Sequence, residues 1–416
     1  MELKIKNKKN LGINSLGRIG KLMLWHQLAE KNFDGIVINT GRDVGKKIDD
    51  VIQVLETDST YGSLSSFLYG VKGKKVEIKT IDASKLLFEI DGMPVKILNT
   101  QRNPCNIPWK DENVSIVVDC SGQFTDPTLL ADAGSGSLRG HFLGGAQKVI
   151  ASAPFKIKDK SAQTPEDSIM LVYGVNHLEY NPTKHNLVSA ASCTTTGLSH
   201  LIKPLLEDSE TTKILTASMS TVHAATNSQS VLDSVPKTNA SDLRKSRSVF
   251  NNIILSTTGA AKALEAILPE IQKFGFMADS VRIPTTTVSL ITLNITFNSG
   301  IDEKGNPIIS RNYINNIYKN AAAGSQKDLL IFSERQNVSS DLMGFKAAAV
   351  VEGCETHTRT GFINIPAPTF ESYGMKDTKD ISLPVTHAKI FGWYDNEYGS
   401  YVTMLSKLTS YIDSKL

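Results

Sequence analysis

The chain is poor in cysteine, in aromatic side chains and in net charge. Its 416 residues include 4 cysteines and 7% aromatic residues, and the formal net charge is +3. The cysteines show no paired spacing, which favours free thiols in a reducing compartment. The small net charge provides no strong field for nucleic acid or for an anionic membrane, so neither is indicated as a partner.

Long hydrophobic runs are also lacking. No stretch of about 18 apolar residues occurs, and the N-terminal residues do not form the apolar core of a secretory signal. We therefore expect a cytoplasmic protein that does not use a membrane. What the chain does have is length, with 40% hydrophobic and 21% charged residues, a composition typical of a globular protein of two or three domains.

The start of the chain predicts a nucleotide-binding βαβ unit. The glycine-containing segment Leu11–Gly20 is followed by an amphipathic stretch to Glu30 and by the aliphatic run Phe33–Asn39. Strand, tight turn and helix in this order present a helix N-terminus to a pyrophosphate. The glycine signature is incomplete, because Ser15 stands at the first position of G-x-G-x-x-G. Taken alone, an ordinary strand-to-helix turn explains this segment equally well.

The rest of the chain predicts two kinds of sheet. In the first part, the predicted strands lie at 76–81, 86–90, 95–98, 114–120 and 148–152. Together with the helical stretches between them, they favour an α/β fold with a Rossmann-type, doubly wound parallel sheet. After Cys193 the pattern changes, and a long strand at 288–297 favours an α+β catalytic domain with a mainly antiparallel sheet. The glycine-rich stretch 132–147 predicts a loop.

The expected domains follow from this change of pattern. The dinucleotide-binding domain is expected at 1–192 and 396–416, where the last stretch forms a helix that packs back on it. The catalytic domain is expected at 193–395.

The sharpest chemical signal is Cys193, within Ala191–Gly197, followed thirty positions later by His223. A cysteine where a strand gives way to a helix lies against backbone N–H groups that favour its thiolate, and a histidine completes the activation. Taken alone, the pair is more often a buried cysteine and an unrelated histidine.

Other candidate ligands are weaker. The pair Cys354 and His357 has a metal-binding spacing, but no second pair accompanies it, so no metal site is predicted. His141, His177 and His185 fall in polar, loop-like stretches, and the sequence indicates no partner for them.

With the glycine turn, the Ser-Cys-Thr-Thr segment, the Val-His pair and Trp393–Gly399 in one order, the chain resembles phosphorylating glyceraldehyde-3-phosphate dehydrogenases over most of its length. Further matching segments are Ile150–Pro154, Thr257–Lys262, Val281–Thr285 and Val338–Asp341. The resemblance implies that Cys193 attacks an aldehyde to form a thiohemiacetal, and that His223 accepts the hydroxyl proton as a hydride leaves for nicotinamide. Inorganic phosphate then attacks the resulting thioester.

The resemblance also implies a set of binding residues. The substrate's own phosphate is expected at Thr226 and Arg282. The incoming phosphate is expected at Ser192, Thr194, Lys245, Thr258 and Gly259. The cofactor, NAD or NADP, is expected at Asn14, Gly17, Arg18, Ile19, Thr40, Arg42, Arg102, Ser121 and Asn396. The last of these orients the nicotinamide amide.

Several positions depart from the family pattern. Thr40 replaces an acidic residue that repels a 2′-phosphate, and Arg42 nearby can pair with one, so NADP use is predicted, with adequate NAD binding as the alternative. Lys245 replaces an arginine, and an ammonium cannot give the bidentate contact of a guanidinium, so weak phosphate affinity is expected. Ser228 replaces a usual aspartate near the substrate, and Ser400–Tyr401 reverses the usual order of these two residues.

Three functions remain open at this point. The first is a phosphorylating dehydrogenase of glyceraldehyde 3-phosphate, for which the resemblance implies a homotetramer. The second is a non-phosphorylating erythrose-4-phosphate dehydrogenase. This alternative remains because Lys245 replaces the usual arginine of the incoming-phosphate site. The third is a weakly catalytic homologue that acts as a binding or adhesion protein, against which the retained Cys193, His223 and Arg282 argue.

Overall fold

The computed structural model describes residues 9–159, 161–375 and 379–416, so residues 1–8 of the first expected domain lie outside the described residues. The chain divides into two units. The first contains the described residues up to Ser192 together with Glu397–Leu416, and the second contains Cys193–Asn396. Within the described ranges, no helix is long and apolar enough to cross a membrane.

Strands and short helices alternate along the first unit. Its strands are β1 (Asn10–Asn14), β2 (Gly35–Asn39), β3 (Thr57–Asp58), β4 (Gly62–Ser63), β5 (Ile78–Asp82), β6 (Leu87–Ile90), β7 (Met93–Leu98), β8 (Val114–Asp119), β9 (Lys148–Ala151), β10 (Ser168–Met170) and β11 (Leu187–Ser189). Its first four helices are α1 (Arg18–Glu30), α2 (Ile48–Glu56), α3 (Leu64–Tyr69) and α4 (Gly140–Leu143). Helix α4 lies within the glycine-rich stretch that was predicted as a loop.

The second unit contains longer strands. Its helices are α5 (Cys193–Glu207), α6 (Ala260–Ile267), α7 (Arg311–Ala323) and α8 (Ala367–Glu371). Its strands are β12 (Ile214–Ala224), β13 (Ile254–Ser256), β14 (Gly275–Ile283), β15 (Ser289–Asn298), β16 (Leu330–Ser333), β17 (Ala349–Glu352), β18 (His357–Ile365) and β19 (Ile381–Tyr394). The chain then returns to the first unit with a π-helical turn, Tyr398–Thr403, and α9 (Met404–Asp413).

The first sheet has the order β10-β11-β9-β8-β1-β2-β7-β6-β5. Neighbouring strands from β10 to β7 run parallel, and β6 and β5 continue the sheet antiparallel. The predicted Rossmann-type sheet is thereby confirmed. Strand β1 lies between β2 and β8, so the strand order reverses there. In open α/β sheets, ligands bind outside the carboxyl ends of the strands at such a reversal.

Helix α1 is buried on nearly all sides, although its sequence pattern indicated an amphipathic helix. Residues 22–28 are each at most 2% exposed, because α1 contacts α3, α9 and the π-helical turn. Its polar groups find partners inside the unit: Trp25 Nε1 donates to the Leu55 carbonyl at 2.8 Å, and Gln27 Nε2 donates to Ser406 Oγ at 2.6 Å. These two hydrogen bonds offset part of the cost of burying polar side chains, although Gln27 Oε1 is buried without a partner among the described residues.

The second sheet has the order β13-β14-β12-β15-β19-β17-β16, and β18 also pairs with β19. Strands β12 and β14 are parallel, whereas β12 with β15 and β15 with β19 are antiparallel. Residues of β15 alternate between buried and partly exposed, as expected for a sheet with one face on the core. Helix α5 contacts β15, β17 and β19 and so covers this face at the end where Cys193 lies.

Candidate active site

Cys193 is the first residue of α5, and its Sγ lies 3.5 Å from Nε2 of His223 near the end of β12. The structure therefore brings together the two residues that the sequence singled out. The first turn of a helix has backbone N–H groups without partners inside the helix, and its dipole favours a negative charge. A sulfur at this position, within reach of an imidazole, is arranged as an activated nucleophile.

Arg282 joins this pair through the parallel pairing of β12 and β14, which places it directly opposite His223. Its Nη1 lies 2.5 Å from Nδ1 of His223 and 3.1 Å from the Ala224 carbonyl oxygen. Burial of the imidazole, together with the Arg282 charge, lowers the pKa of His223 to about 3. His223 is therefore neutral at neutral pH in the protein without ligands.

Two groups compete for Nδ1 of His223. The Ala224 carbonyl, 2.8 Å away, can only accept a hydrogen bond, whereas the Arg282 guanidinium can only donate one. When Nδ1 carries the proton and donates to Ala224, Nε2 presents its lone pair to Cys193. An anion that draws the guanidinium away from Nδ1 therefore favours the tautomer in which His223 acts as a base towards the sulfur.

Arg282 has further capacity to bind an anion. Its Nε is buried and has no hydrogen-bond partner among the described residues, and burial lowers the pKa of its guanidinium from the ordinary value. Thr226, expected at the same anion site, lies just beyond β12, where its hydroxyl is 2.9 Å from Ser228 Oγ and 3.0 Å from Gln229 Oε1. The serine that replaces the usual aspartate thus holds the Thr226 hydroxyl.

The residues expected to hold an incoming phosphate are placed differently from one another. Ser192 precedes Cys193 along the chain, and the Thr194 hydroxyl is buried 2.9 Å from the Tyr394 hydroxyl. Thr258 Oγ1 accepts from the Ala260 backbone N–H at 3.2 Å, and Gly259 is the N-cap of α6. Lys245 is exposed in the short 3₁₀ helix Leu243–Ser246, and its carbonyl accepts from Ser230.

Tyr394 is a central residue that the sequence did not identify. Its hydroxyl lies 2.9 Å from Thr194 Oγ1 and 2.7 Å from Thr221 Oγ1, and the side chain is 1% exposed. Burial raises the pKa of Tyr394 well above its ordinary value, so the phenol stays neutral. Its hydroxyl thereby connects the first turn of α5 to Thr221 of β12, which lies two residues before His223. The Trp393–Gly399 segment carried a turn-like composition that gave no sign of this role.

The loop after β1 has the close approach that a pyrophosphate site requires. Ser15 adopts a φ of +86°, in the left-handed region that favours glycine. A Cβ at Gly20 would lie 2.0 Å from the Ser15 carbonyl oxygen, so only glycine fits there. Gly17 caps α1, which begins with Arg18 and Ile19. This cradle at the N-terminus of α1, beside the reversal of strand order, fits a dinucleotide.

Arg18 and Asn14 are both held by neighbouring side chains. Arg18 Nη1 donates to Glu397 at 2.7 Å. Asn14, at the end of β1, donates from Nδ2 to Asp119 at 2.7 Å, and its Oδ1 accepts from Asn39 at 2.8 Å. Asn14 therefore fixes the ends of β1, β2 and β8 to one another.

Asp119 also organises the loop after β8. Its Oδ1 accepts from the backbone N–H and the hydroxyl of Ser121, at 3.0 and 2.6 Å. The prediction that His141 lies in polar, loop-like surroundings without an identifiable partner was wrong. His141 is fully buried, accepts from Trp109 Nε1 on Nδ1 and bonds Asp119 Oδ2 through Nε2, each at 3.0 Å. These contacts with His141, Ser121 and Asn14 keep the pKa of Asp119 below its ordinary value despite burial.

We expect the substitution His141→Phe to lower the free energy of unfolding by about 2 to 3 kcal/mol, because it leaves the buried Asp119 carboxylate without the hydrogen bond to His141 Nε2 and Trp109 Nε1 without an acceptor. Urea denaturation followed by fluorescence measures the change. Adding Asp119→Asn should restore part of the loss, since no buried charge then remains. A loss below about 1 kcal/mol would show that the pair is energetically neutral.

Near the adenosine end of this expected site, Thr40 lies just beyond β2. Its hydroxyl donates to the Arg42 carbonyl at 2.7 Å, while the Arg42 side chain is exposed. Arg102 Nε lies 3.3 Å from the Gly41 carbonyl oxygen. The two arginines thus flank one turn, where they provide positive charge for an anionic ligand. Position 40 carries a threonine and no carboxylate that would repel such a ligand.

Sequence comparisons match both units of the chain to domains of one family. The profile described as glyceraldehyde 3-phosphate dehydrogenase, NAD binding domain, matches residues 9–127, and the one for the C-terminal domain matches residues 192–367. Glyceraldehyde-3-phosphate dehydrogenase 2 of Streptomyces avermitilis is 33% identical over 407 residues, which cover 98% of this chain and 99% of the relative. The chain belongs to the glyceraldehyde-3-phosphate dehydrogenase family.

Other relatives cover the chain to the same extent. Glyceraldehyde-3-phosphate dehydrogenase 1 of Bacillus cereus is 30% identical over 405 residues, with 97% of this chain and 98% of the relative covered. The glyceraldehyde-3-phosphate dehydrogenase of Sclerotinia sclerotiorum is 31% identical over 403 residues, with 97% and 96% covered. The family assignment confirms the resemblance seen in the sequence. It makes this glyceraldehyde-3-phosphate dehydrogenase homologue an oxidoreductase with an NAD-binding domain.

Proposed function

We propose that this protein oxidises glyceraldehyde 3-phosphate with NAD or NADP and transfers the acyl group to inorganic phosphate, which gives 1,3-bisphosphoglycerate. The observation that carries the proposal is the 3.5 Å approach of Cys193 Sγ and His223 Nε2 beside the Arg282 guanidinium. Nucleophile, base and anion-binding group then lie together. These are the three groups that the oxidation of a phosphorylated aldehyde requires.

The chemistry begins when the Cys193 thiol gives its proton to His223 Nε2 and the sulfur adds to the aldehyde carbon. The carbonyl oxygen takes that proton, which completes the thiohemiacetal. His223 accepts the hydroxyl proton again as the C–H hydrogen departs as hydride, for which the bound nicotinamide cofactor is the acceptor. Cys193 then carries a thioester. A phosphate oxygen attacks its carbonyl carbon, and the Cys193 thiolate leaves.

The anion sites account for the phosphorylated substrates. Arg282 and Thr226 are proposed to hold the phosphate of the aldehyde, since a guanidinium and a hydroxyl both donate to phosphate oxygens. Binding at Arg282 also offsets the charge that depresses the pKa of His223, so the substrate itself makes the base stronger. Ser192, Thr194, Lys245, Thr258 and Gly259 are proposed for the incoming phosphate. The exposure of Lys245 favours weak binding there.

The cofactor is proposed to bind with its pyrophosphate at Gly17, Arg18 and Ile19 and its adenosine ribose beside Thr40. Asn14 and Ser121 hold the surrounding loops, Arg42 and Arg102 supply positive charge, and Asn396 contacts the nicotinamide amide. A homotetramer is proposed on the family resemblance, and a cytoplasmic location on the four cysteines without paired spacing.

A cofactor-reduction assay on the purified protein tests the proposal. Glyceraldehyde 3-phosphate is supplied with NAD or NADP, with and without inorganic phosphate, and erythrose 4-phosphate serves as the comparison substrate. A phosphate-dependent signal with glyceraldehyde 3-phosphate is expected. A signal independent of phosphate, or stronger with erythrose 4-phosphate, would favour the non-phosphorylating alternative. Absence of reduction with both cofactors and both substrates would favour a binding or adhesion protein.

The substitution Thr40→Asp tests cofactor choice. A carboxylate at this position repels a 2′-phosphate and accepts the hydrogen bonds of an unmodified ribose. We expect kcat/KM for NADP to fall about 10-fold relative to that for NAD. Thr57→Asp, at an exposed threonine of the same unit, controls for the added charge. An unchanged NADP to NAD ratio in the Thr40 variant would show that the 2′ position lies elsewhere.

A further inference from the structure

The Ser289 hydroxyl connects β12, the strand that carries His223, to the side chain of Asn396. Ser289 is the first residue of β15 and is 1% exposed. Its Oγ accepts from the backbone N–H of Ala224, the residue after His223, at 3.1 Å. The same Oγ lies 2.9 Å from Asn396 Oδ1, and Asn396 is 4% exposed. One buried hydroxyl therefore contacts both the end of β12 and the side chain of Asn396.

The direction of each hydrogen bond follows from the donors available. A serine hydroxyl donates one hydrogen bond and accepts up to two. The Ala224 N–H can only donate, so Ser289 accepts from it. Tyr394, which pairs directly with Ser289 across β19 and β15, contributes a second hydroxyl contact. Its phenol can donate to Ser289 when the Thr194 and Thr221 hydroxyls, 2.9 and 2.7 Å away, donate to the phenol oxygen. The single Ser289 proton is then directed to Asn396 Oδ1.

This arrangement fixes which end of the Asn396 amide faces outwards. With Oδ1 bound to Ser289, the amide nitrogen points away, and no described residue accepts a hydrogen bond from it. The nitrogen has two donors to offer to a ligand carbonyl. Without the Ser289 proton, the amide is free to rotate by half a turn and present its oxygen instead.

We propose that Ser289 is a positioning residue for the nicotinamide end of the cofactor, which it serves by holding the Asn396 amide with its donors towards the cofactor carboxamide. The inference rests on the proposed function, in which Asn396 contacts that carboxamide. It adds that the orientation of Asn396 is set by Ser289 of β15, whose hydroxyl also accepts from the Ala224 N–H beside His223, so that one hydroxyl contacts both the strand of the base and the amide proposed to hold the cofactor carboxamide.

Equilibrium binding to the intact protein tests this role without an activity measurement. Titration calorimetry gives the Kd of NAD and of ADP-ribose, which lacks the nicotinamide. In Ser289→Ala, the Kd of NAD is expected to rise about 10-fold, while the Kd of ADP-ribose stays unchanged. Equal weakening of both ligands, or no change in either, would overturn the proposal.

Two further variants separate positioning from general damage. Ser280→Ala removes an equally buried hydroxyl, from β14, that has no partner among the described residues, and it should leave both Kd values unchanged. Ser289→Ala combined with Asn396→Ala should bind NAD no more weakly than Asn396→Ala alone, because Ser289 acts through Asn396. Additive losses would show that Ser289 acts by another route. A wild-type protein that binds neither ligand would overturn the proposed function itself.

Discussion

The substitution Cys193→Ser is expected to reduce the rate of cofactor reduction about 1000-fold or more. A serine hydroxyl ionises far less readily than a thiol, so neither the first turn of α5 nor His223 can make it a comparable nucleophile. The measurement is the initial rate of cofactor reduction with glyceraldehyde 3-phosphate, together with a single-turnover assay that follows the acyl-enzyme burst.

Cys354→Ser is the matched control for this loss. Cys354 is also partly exposed and lies in the same unit, where its Sγ is 3.3 Å from both the Arg335 carbonyl and Glu352 Oε1. The control should keep its rate within a factor of about two of the unmodified protein, in line with the small effects of substitutions away from a site. A Cys193→Ser variant that retained the burst would mean that another group carries the acyl intermediate.

The substitution His223→Gln is expected to lower kcat by about 100- to 10,000-fold, the usual range for the loss of a general base. Glutamine can occupy the same place at the end of β12, but it cannot accept the hydroxyl proton as the hydride leaves. The exposed His357 in β18 gives the control His357→Gln. A kcat that falls by less than about 10-fold would show that proton transfer runs through another group.

The same variant is expected to change how stability depends on pH. In the unfolded chain, His223 titrates near its ordinary pKa of 6.5, whereas in the folded protein its pKa is about 3. Between these values the unfolded state binds more protons, so the free energy of unfolding falls as the pH falls, by about 1.4 kcal/mol per pH unit. Above pH 6.5 the histidine contributes no slope.

Urea denaturation of the cofactor-free protein at pH 6.5 and pH 4.5, at the upper end of that interval, measures the effect. The His223→Gln variant should lose less stability over this interval than the unmodified protein, and the difference should be about 2 to 3 kcal/mol. The His357→Gln control should behave like the unmodified protein. Parallel pH dependence in all three proteins would contradict the neutral, buried state of His223.

Much of the fold follows from local pattern. Alternating aliphatic runs and glycine turns predicted the parallel sheet, and the strand-to-helix junction predicted that Cys193 would lie at the start of a helix. The long strand that begins near Val288 was also predicted, and it appears as β15. Hydrophobic periodicity reports which face of one element is buried, so such features can be inferred without knowledge of their neighbours.

The contacts that complete the site could not be inferred in this way. Arg282 lies beside His223 because β12 and β14 pair in one register, and Ser289 lies opposite Tyr394 because β15 and β19 do. Alternation along a single strand is compatible with many registers and many neighbours. The partner of a buried polar group is fixed only when the sheet has formed.

The sequence by itself indicated the family, the change from one kind of sheet to another near Cys193, and Cys193 and His223 as candidate catalytic residues, because each of these depends on short local motifs and their order along the chain. The tertiary structure decided that α1 is buried on nearly all sides, that His141 pairs with Asp119, and that Ser289 connects Ala224 to Asn396. Each of these depends on groups far apart in the chain, which meet because buried polar atoms must find partners inside the fold.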